Sequence, residues 1–202
     1  KAGLENLDKQ IVCVRLFNLA PVVALKRFAA DTDVEVQLVA VRAAADGVRF
    51  AVSRHFTEGG AGAVDLAHAV MEAASESSDY QPLYGLDQPV LEKVRAVSKA
   101  MYGAGDVAFT KEAEKDLKRI EELGLSGLPI CIAKAPSSLS DEPALHGRPR
   151  DFQVTVRNLQ VNSGAGFLVV LTGDILRMPG LPRRPLAMDI RVRPDGSVEG
   201  IA

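Results

Sequence analysis

Apolar side chains recur every three or four residues over the first fifteen positions, with charged side chains between them. This period predicts an amphipathic helix over 4–15. Pro21 ends the pattern, and the short apolar run 22–25 that follows is typical of a strand covered on both faces. The apolar stripe of the helix consists of Leu4, Leu7, Ile11 and Val14.

The next segment carries the signature of a helix start. Thr32 stands three residues before Glu35, so the hydroxyl and the carboxylate can satisfy free backbone amides as a capping box. We expect this helix to end near Gly47. The side chains expected to face inward are those of Val34, Leu38 and Val41.

A strand over 48–52 and a helix over 63–74 continue the alternation of strands and helices. Such alternation implies right-handed crossovers and a parallel sheet. The fold class predicted for this part of the chain is therefore α/β.

The composition becomes polar over 75–89, where serines and prolines accumulate, and we predict a linker there. This linker divides the chain into two predicted domains, an α/β domain over 1–80 and a smaller α+β domain over 81–202.

Helices in the second domain are predicted over 90–101 and 111–123, with Thr110 as the N-cap of the latter. Strands are predicted over 128–133, 152–159 and 167–171, with a hairpin around 194–196 and a long loop over 134–149. The side chains expected to face inward are Val90, Val94, Val97 and Met101 in the first helix and Leu117, Ile120 and Leu123 in the second.

The composition excludes two classes of binding partner, nucleic acids and membranes. The 202 residues include 24 Lys and Arg against 26 Asp and Glu, and this net charge of -2 offers no basic surface for nucleic acid. No apolar run approaches the roughly 20 residues of a membrane span, so we expect no membrane partner. Cys13 and Cys131 lie far apart in apolar segments, and we expect two buried thiols, rather than a disulfide, in the cytoplasm.

The sequence lacks the common motifs for metal binding and for phosphate binding. The three histidines share no ligand spacing with each other or with a cysteine, so no metal site is expected. A phosphate-binding loop of the Walker A type is also missing. The segment EGGAG (58–62) follows a strand and opens a helix, so its amides could bind an anion, although a flexible turn is the better explanation.

Two aromatic residues follow neighbouring predicted strands. Phe28 comes after the first strand and Phe56 after the second, which puts both at the carboxyl edge of the sheet, where α/β proteins bind ligands. A flat heteroaromatic ligand between two rings gains roughly 1 kcal/mol per stacked face. The alternative, equally favoured by the sequence, is that both rings cap the core.

A series of motifs resembles the formate–tetrahydrofolate ligase family. PVVALKRFAADTD (21–33) is similar to the family segment VVVALNRFPTDT, and further matches continue in order over nearly the whole chain. They are Phe56 with EGGAGAVDLA (58–67), Leu83 with Tyr84, 120–124, LPICIAK (128–134), SLS (138–140), GRP (147–149), GAGF (164–167), LTGD (171–174) and MPGLP (178–182).

The resemblance implies an activity and a fold. The family joins formate to tetrahydrofolate at the expense of MgATP, through formyl phosphate, and gives 10-formyltetrahydrofolate. It also implies that the first domain is part of a P-loop-NTPase-like sheet, without its P-loop, and that the protein forms a homo-oligomer.

The resemblance also implies roles for particular residues. The pterin ring would lie between Phe28 and Phe56, and Ala29 and Val52 would line the same pocket. A second site, for the nucleotide, would be bordered by the loop that contains Lys134 and Ser138.

Several positions depart from the family pattern. Lys26 stands where the family has Asn, Ala29 where it has Pro and Phe56 where it has Trp, and 135–137 also differ. The phosphate loop belongs to an N-terminal half that these residues do not include, so we expect no catalysis by the chain alone. The alternative function is a non-catalytic folate-binding or scaffold module that associates with a full-length ligase.

Overall fold

The computed structural model of the chain describes residues 3–134, 138–142, 144–173 and 183–200. The helices are α1 (Leu4–Arg15), α2 (Asp33–Ala45), α3 (His55–Glu58), α4 (Val64–Ser75), α5 (Val90–Val97) and α6 (Lys111–Glu122). The strands are β1 (Val22–Lys26), β2 (Arg49–Ser53), β3 (Asp106–Phe109), β4 (Ile130–Ala133), β5 (Gln153–Asn162), β6 (Phe167–Thr172), β7 (Arg191–Val192) and β8 (Val198–Glu199). The predicted mixture of helices with mostly parallel strands is confirmed.

The first sheet is a parallel pair of β1 and β2, in which Val22 faces Arg49 and Lys26 faces Ser53. The crossover between the two strands contains α2, as the alternating pattern predicts. Because the strands are parallel and in register, their carboxyl ends lie side by side at one edge of the sheet.

Helices pack against both faces of this pair. On one face α1 and α2 form a small core of Ile11, Val23, Ala43 and Val48. On the other face α4 lies against β2, where Arg49 forms ion pairs with Glu72 and Glu76. Both α2 and α4 contact β2 more extensively than they contact β1.

Two predictions about burial in this region are wrong. Ala24 is exposed, so β1 is not covered on both faces within the described residues, because α4 packs mainly on β2. Val34 and Val41 are 79% and 56% exposed, so α2 does not turn its predicted face inward. The helix packs instead through Ala43, whose small side chain allows close contact with the sheet.

The start of α2 confirms the capping box. The backbone N–H of Glu35 donates to the Thr32 hydroxyl at 3.3 Å, and the N–H of Thr32 donates to the Glu35 carboxylate at 2.9 Å. The Thr32 hydroxyl also donates to this carboxylate at 2.8 Å, and the two hydrogen bonds from the N–H and the hydroxyl of Thr32 lower the pKa of Glu35. After the last helical residue, Gly47 adopts a positive φ of 63°, as a helix terminus of this kind requires.

The second sheet has the strand order β3-β5-β6-β4. The pairs β3–β5 and β4–β6 are parallel, whereas β5 and β6 are antiparallel. Helices α5 and α6 pack with these strands around the larger core, which includes Val94, Val154, Val156 and Leu168. The terminal hairpin is also confirmed, with β7 and β8 paired in antiparallel fashion.

The helices of this region differ from prediction at their ends. After Val97, α5 continues as one π-helical turn, Ser98–Tyr102, in which Ser98 is buried. Thr110 caps α6 as predicted, accepting the N–H of Ala113 at 3.2 Å. Leu123 is exposed rather than inward, because it follows the last residue of α6.

The cysteines are confirmed as free thiols, but only Cys13 is buried. Cys131 is exposed because side chains alternate along β4, so that Ile130 and Ile132 pack towards the core while Cys131 points away from it. Among the described residues, no helix combines the length and apolar character needed to cross a bilayer.

Candidate functional site

The two phenylalanines singled out by the sequence meet at the carboxyl edge of the β1–β2 pair. The centroids of the Phe28 and Phe56 rings are 6.3 Å apart, and the ring planes are inclined by 53°. Both rings face solvent, Phe28 with 47% and Phe56 with 72% of its surface exposed. This exposure rules out the alternative in which both rings cap the core.

A tight turn after β1 fixes the backbone of Phe28. The N–H of Phe28 donates to the Asp31 carboxylate at 2.7 Å, and the N–H of Asp31 donates to the Phe28 carbonyl at 3.1 Å. Arg27 pairs with Asp33 at 2.6 Å and so ties the turn to the first residue of α2. The main chain is therefore constrained while the ring remains open to solvent.

The position of Phe56 depends on a close approach at Gly62. The N–H of Arg54 donates to the Gly62 carbonyl at 2.8 Å and closes the segment 54–62, which contains α3 and the 3-10 turn Gly59–Ala63. A Cβ at Gly62 would lie 2.7 Å from the carbonyl carbon and oxygen of Arg54, closer than real Cβ atoms come. A glycine is therefore needed for the backbone that carries Phe56.

A hydroxyl and an imidazole also form a hydrogen bond at the junction of β2 and α3. The Ser53 Oγ and the His55 Nδ1 lie 2.8 Å apart, and Ser53 is buried. This hydrogen bond joins the last residue of β2 to the first residue of α3. It gives the segment carrying Phe56 a second attachment.

The side chain of Lys26 lies against both rings. Its Nζ is 5.0 Å from the centroid of Phe28 and 5.9 Å from that of Phe56. Both distances are within the range of a cation–π interaction. In the sequence, Lys26 is distinguished only by its departure from the family pattern, although its position at the end of β1, two residues before Phe28, is a signal for this contact.

The other two residues predicted for this pocket lie nearby along the chain. Ala29 is exposed and directly follows Phe28. Val52 is half-buried near the end of β2 and pairs in register with Leu25. Their role in lining a pocket with the two rings stays a prediction.

Lys134 and Ser138, predicted to border a nucleotide, are brought together in a different cavity. The Lys134 ammonium donates to the backbone carbonyl of Ser138. The cavity has a volume of about 260 Å³ and is lined by Asn6, Gln10, Cys13, Met101, Tyr102, Lys134, Ser138 and Leu139. The two phenylalanines do not line it.

The charge of this cavity comes from Lys134. Its Nζ lies 5.4 Å from the centroid of the Tyr102 ring. Burial lowers the pKa of Lys134, and the negative charge of Asp141 opposes this shift. The Ser138 hydroxyl donates to the Leu145 carbonyl and accepts the N–H of Ser140, so its hydrogen is already used inside the loop.

Helix α1 contributes Asn6, Gln10 and Cys13 to this cavity, and none of them was predicted from the sequence as a site residue. Lys9 donates to the Ala100 carbonyl at 2.7 Å and Cys13 to the Met101 carbonyl at 3.2 Å, which attaches α1 to the π-helical turn. Burial raises the pKa of the Cys13 thiol. No short motif signals this contact, because its partners are about ninety positions apart.

Residues 135–137, the last position of LTGD at 174 and the motif MPGLP at 178–182 lie outside the described residues. In the described part of the chain, no group of three or more His, Cys, Asp or Glu side chains could hold a metal ion.

Comparison with known proteins gives a consistent result. The formate–tetrahydrofolate ligase family model matches residues 1–202. A formate–tetrahydrofolate ligase of Myxococcus xanthus (strain DK1622) is 45% identical over 203 residues, which cover 98% of this chain and 37% of that protein. The corresponding ligase of Staphylococcus aureus (strain JH9) is 40% identical over 201 residues, which cover all of this chain and 36% of that protein. The chain thus spans little more than a third of the length of these relatives, and it belongs to the formate–tetrahydrofolate ligase family.

Proposed function

We propose that this chain provides the pterin-binding surface of a formate–tetrahydrofolate ligase, with Phe28 and Phe56 stacking on opposite faces of the pterin ring. The observation that carries the proposal is the exposed aromatic pair at the carboxyl edge of two parallel strands. Large aromatic side chains normally bury most of their surface, and this edge is where α/β sheets bind ligands. Family membership suggests which flat ligand the pair takes.

Binding requires a modest change in the two side chains. A ring stacked between two others needs about 3.5 Å on each side, so the outer rings must be parallel and about 7 Å apart. The observed centroid separation of 6.3 Å is close to this spacing, but the ring planes are inclined by 53° and must rotate to become parallel. Because both rings are exposed, rotation about their side-chain bonds can open the gap without moving β1 or β2.

For the whole protein we propose the ligation of formate to tetrahydrofolate. MgATP transfers its γ-phosphoryl group to formate, which gives formyl phosphate and ADP. The folate N10 amine then attacks the formyl carbon, the bond from that carbon to the phosphate oxygen breaks, and the nitrogen loses its proton. The aromatic pair contributes by holding the folate so that its amine meets the formyl carbon in a fixed orientation.

Lys134 is our candidate for a contact with the nucleotide. Its ammonium lies beside a cavity and an aromatic ring, a setting that suits an anionic or π-rich ligand. Ser138 would act through the shape of its loop rather than through its hydroxyl, whose hydrogen bonds are internal.

We further propose that the 202 residues do not catalyse the reaction alone. They contain no Walker A loop, and phosphoryl transfer depends mainly on electrostatic stabilisation of the kind that such a loop supplies. The chain would act with the rest of the ligase, in a homo-oligomer, in the cytoplasm. Its two free cysteines fit a reducing compartment.

The proposal is tested by measuring tetrahydrofolate affinity with the protein in its full natural length. Phe56→Ala should weaken binding by about fivefold or more, because one stacked face is lost. Phe56→Trp should preserve binding, since a larger ring keeps the stack. Tyr80→Ala is the matched control, because it removes an exposed ring that stacks on Phe17 instead. Equal affinities for the wild type and Phe56→Ala would remove Phe56 from the pocket.

The rival function, a non-catalytic folate-binding or scaffold module, is favoured by the departures at Lys26, Ala29 and Phe56. A product assay separates the two readings. Formation of 10-formyltetrahydrofolate that requires both ATP and formate supports the ligase. Tight folate binding without any product, in the protein of full natural length, supports the module.

A further inference from the structure

The aromatic pair carries a positive charge that stacking a neutral pterin does not use. Lys26 is exposed and holds its Nζ within 6 Å of both ring centroids. The nearest carboxylates along the chain have other partners, since Asp31 accepts the N–H of Phe28 and Asp33 pairs with Arg27. The ammonium is therefore presented to whatever ligand the rings hold.

We propose that the Lys26 ammonium binds an anionic oxygen of the substrates held at the aromatic pair, which makes Lys26 a substrate-binding residue. This inference rests on the proposed function. Two sources of such an oxygen exist: the acyl phosphate that reacts with the folate amine, and the carboxylates of the glutamate tail of folate.

The geometry favours the acyl phosphate. The reacting amine of tetrahydrofolate is joined to the pterin through a single methylene, whereas the tail carboxylates lie beyond a benzoyl ring and an amide. A cation that touches both stacking rings is therefore closer to the reacting end of the ligand than to its tail. As the carbon–oxygen bond to phosphate breaks, Lys26 would hold the negative charge of the leaving phosphate and keep all of its own protons.

The family resemblance does not predict this contact, because an Asn usually stands at this position. An Asn side chain can donate a hydrogen bond but carries no charge and is shorter. Lys26 consequently adds an electrostatic attraction that depends on ionic strength. The salt dependence of ligand affinity therefore distinguishes a charged contact of Lys26 from a purely structural role.

The test uses the protein in its full natural length and three variants. Lys26→Gln removes the charge, and Lys26→Arg retains it. Lys115→Gln is the matched control, since it removes an equal charge from an exposed position on α6. Calorimetric titrations are run at low and high salt with tetrahydrofolate, with 6-methyltetrahydropterin, which lacks the tail, and with inorganic phosphate added to the tetrahydrofolate-loaded protein.

If Lys26 binds the acyl phosphate, Lys26→Gln weakens phosphate binding by about three- to fivefold at low salt and leaves both pterins unaffected. A comparable loss for tetrahydrofolate, but not for 6-methyltetrahydropterin, identifies the tail carboxylates as the source. Equal losses for both pterins, or no change in any titration, overturn the proposal. If the wild type binds neither pterin, the proposed function itself fails, and this outcome is distinct from an ineffective Lys26 substitution.

Discussion

Replacing Lys93 with Met should destabilise the protein strongly, although Lys93 belongs to neither candidate site. This side chain is fully buried, and its Nζ donates to three backbone carbonyls, those of Leu86 at 2.7 Å, Ser126 at 2.6 Å and Leu128 at 3.0 Å. It thereby joins α5 to the segment before it and to the loop after α6. Burial also lowers the pKa of Lys93, which reflects the cost of desolvating its charge.

The expected magnitude follows from these contacts. Met fills most of the space of the lysine stem, so the main loss is of three charged hydrogen bonds, and each carbonyl left unpaired costs about 1 to 3 kcal/mol. Removing the buried charge offsets part of that sum. We therefore expect Lys93→Met to lower the free energy of unfolding by about 3 kcal/mol.

Urea denaturation followed by circular dichroism measures this change, with Lys99→Met, an exposed lysine of the same helical segment, as the control. The midpoint should fall for Lys93→Met and remain unchanged for Lys99→Met. A loss below about 1 kcal/mol with an unchanged m-value would refute the reasoning, since it would mean that the three carbonyls obtain equivalent partners without the lysine.

Three further predictions concern single local features. Thr32→Ala removes the side-chain half of the capping box of α2 and should lower the free energy of unfolding by about 1 kcal/mol in the same urea assay, whereas Thr32→Ser should change it little. Gly62→Ala should displace α3, because its Cβ would contact the Arg54 carbonyl. The loss of free energy of tetrahydrofolate binding should exceed the loss of free energy of unfolding, and an unchanged affinity would contradict the close approach. Cys131 should react with a thiol reagent at least about tenfold faster than Cys13, because the Cys13 thiol is buried and has a raised pKa. Mass spectrometry of labelled peptides measures both rates, and faster labelling of Cys13 would contradict the prediction.

The candidate site was only partly predictable from the sequence. Phe28 and Phe56 could be placed at one edge because each follows a strand, and parallel strands bring their carboxyl ends together. The cavity containing Lys134 could not be assembled in this way, since Asn6 and Tyr102 reach it from distant parts of the chain. Contacts of that kind depend on how whole helices dock, which no local spacing encodes.

Features that depend on neighbouring residues could be predicted from the sequence. The starts of α2 and α6 were predicted from Thr32 and Thr110, because a capping side chain bonds backbone amides only two or three residues away. The alternation of strands and helices, and hence the α/β class, follows from periods that are equally local. The family was also identifiable from short motifs in a fixed order.

The burial of apolar faces and the surroundings of each charge depend instead on contacts between distant elements. Val34 and Val41 form an apolar stripe in the sequence, yet α2 packs through Ala43 instead. Lys93 has an ordinary charged side chain in an amphipathic pattern, yet it is fully buried and donates to three backbone carbonyls. Periodicity specifies the apolar and polar faces of a helix. Which face becomes buried depends on the apolar area and the hydrogen-bonding groups that distant elements bring to it, and these elements come together only when the chain folds.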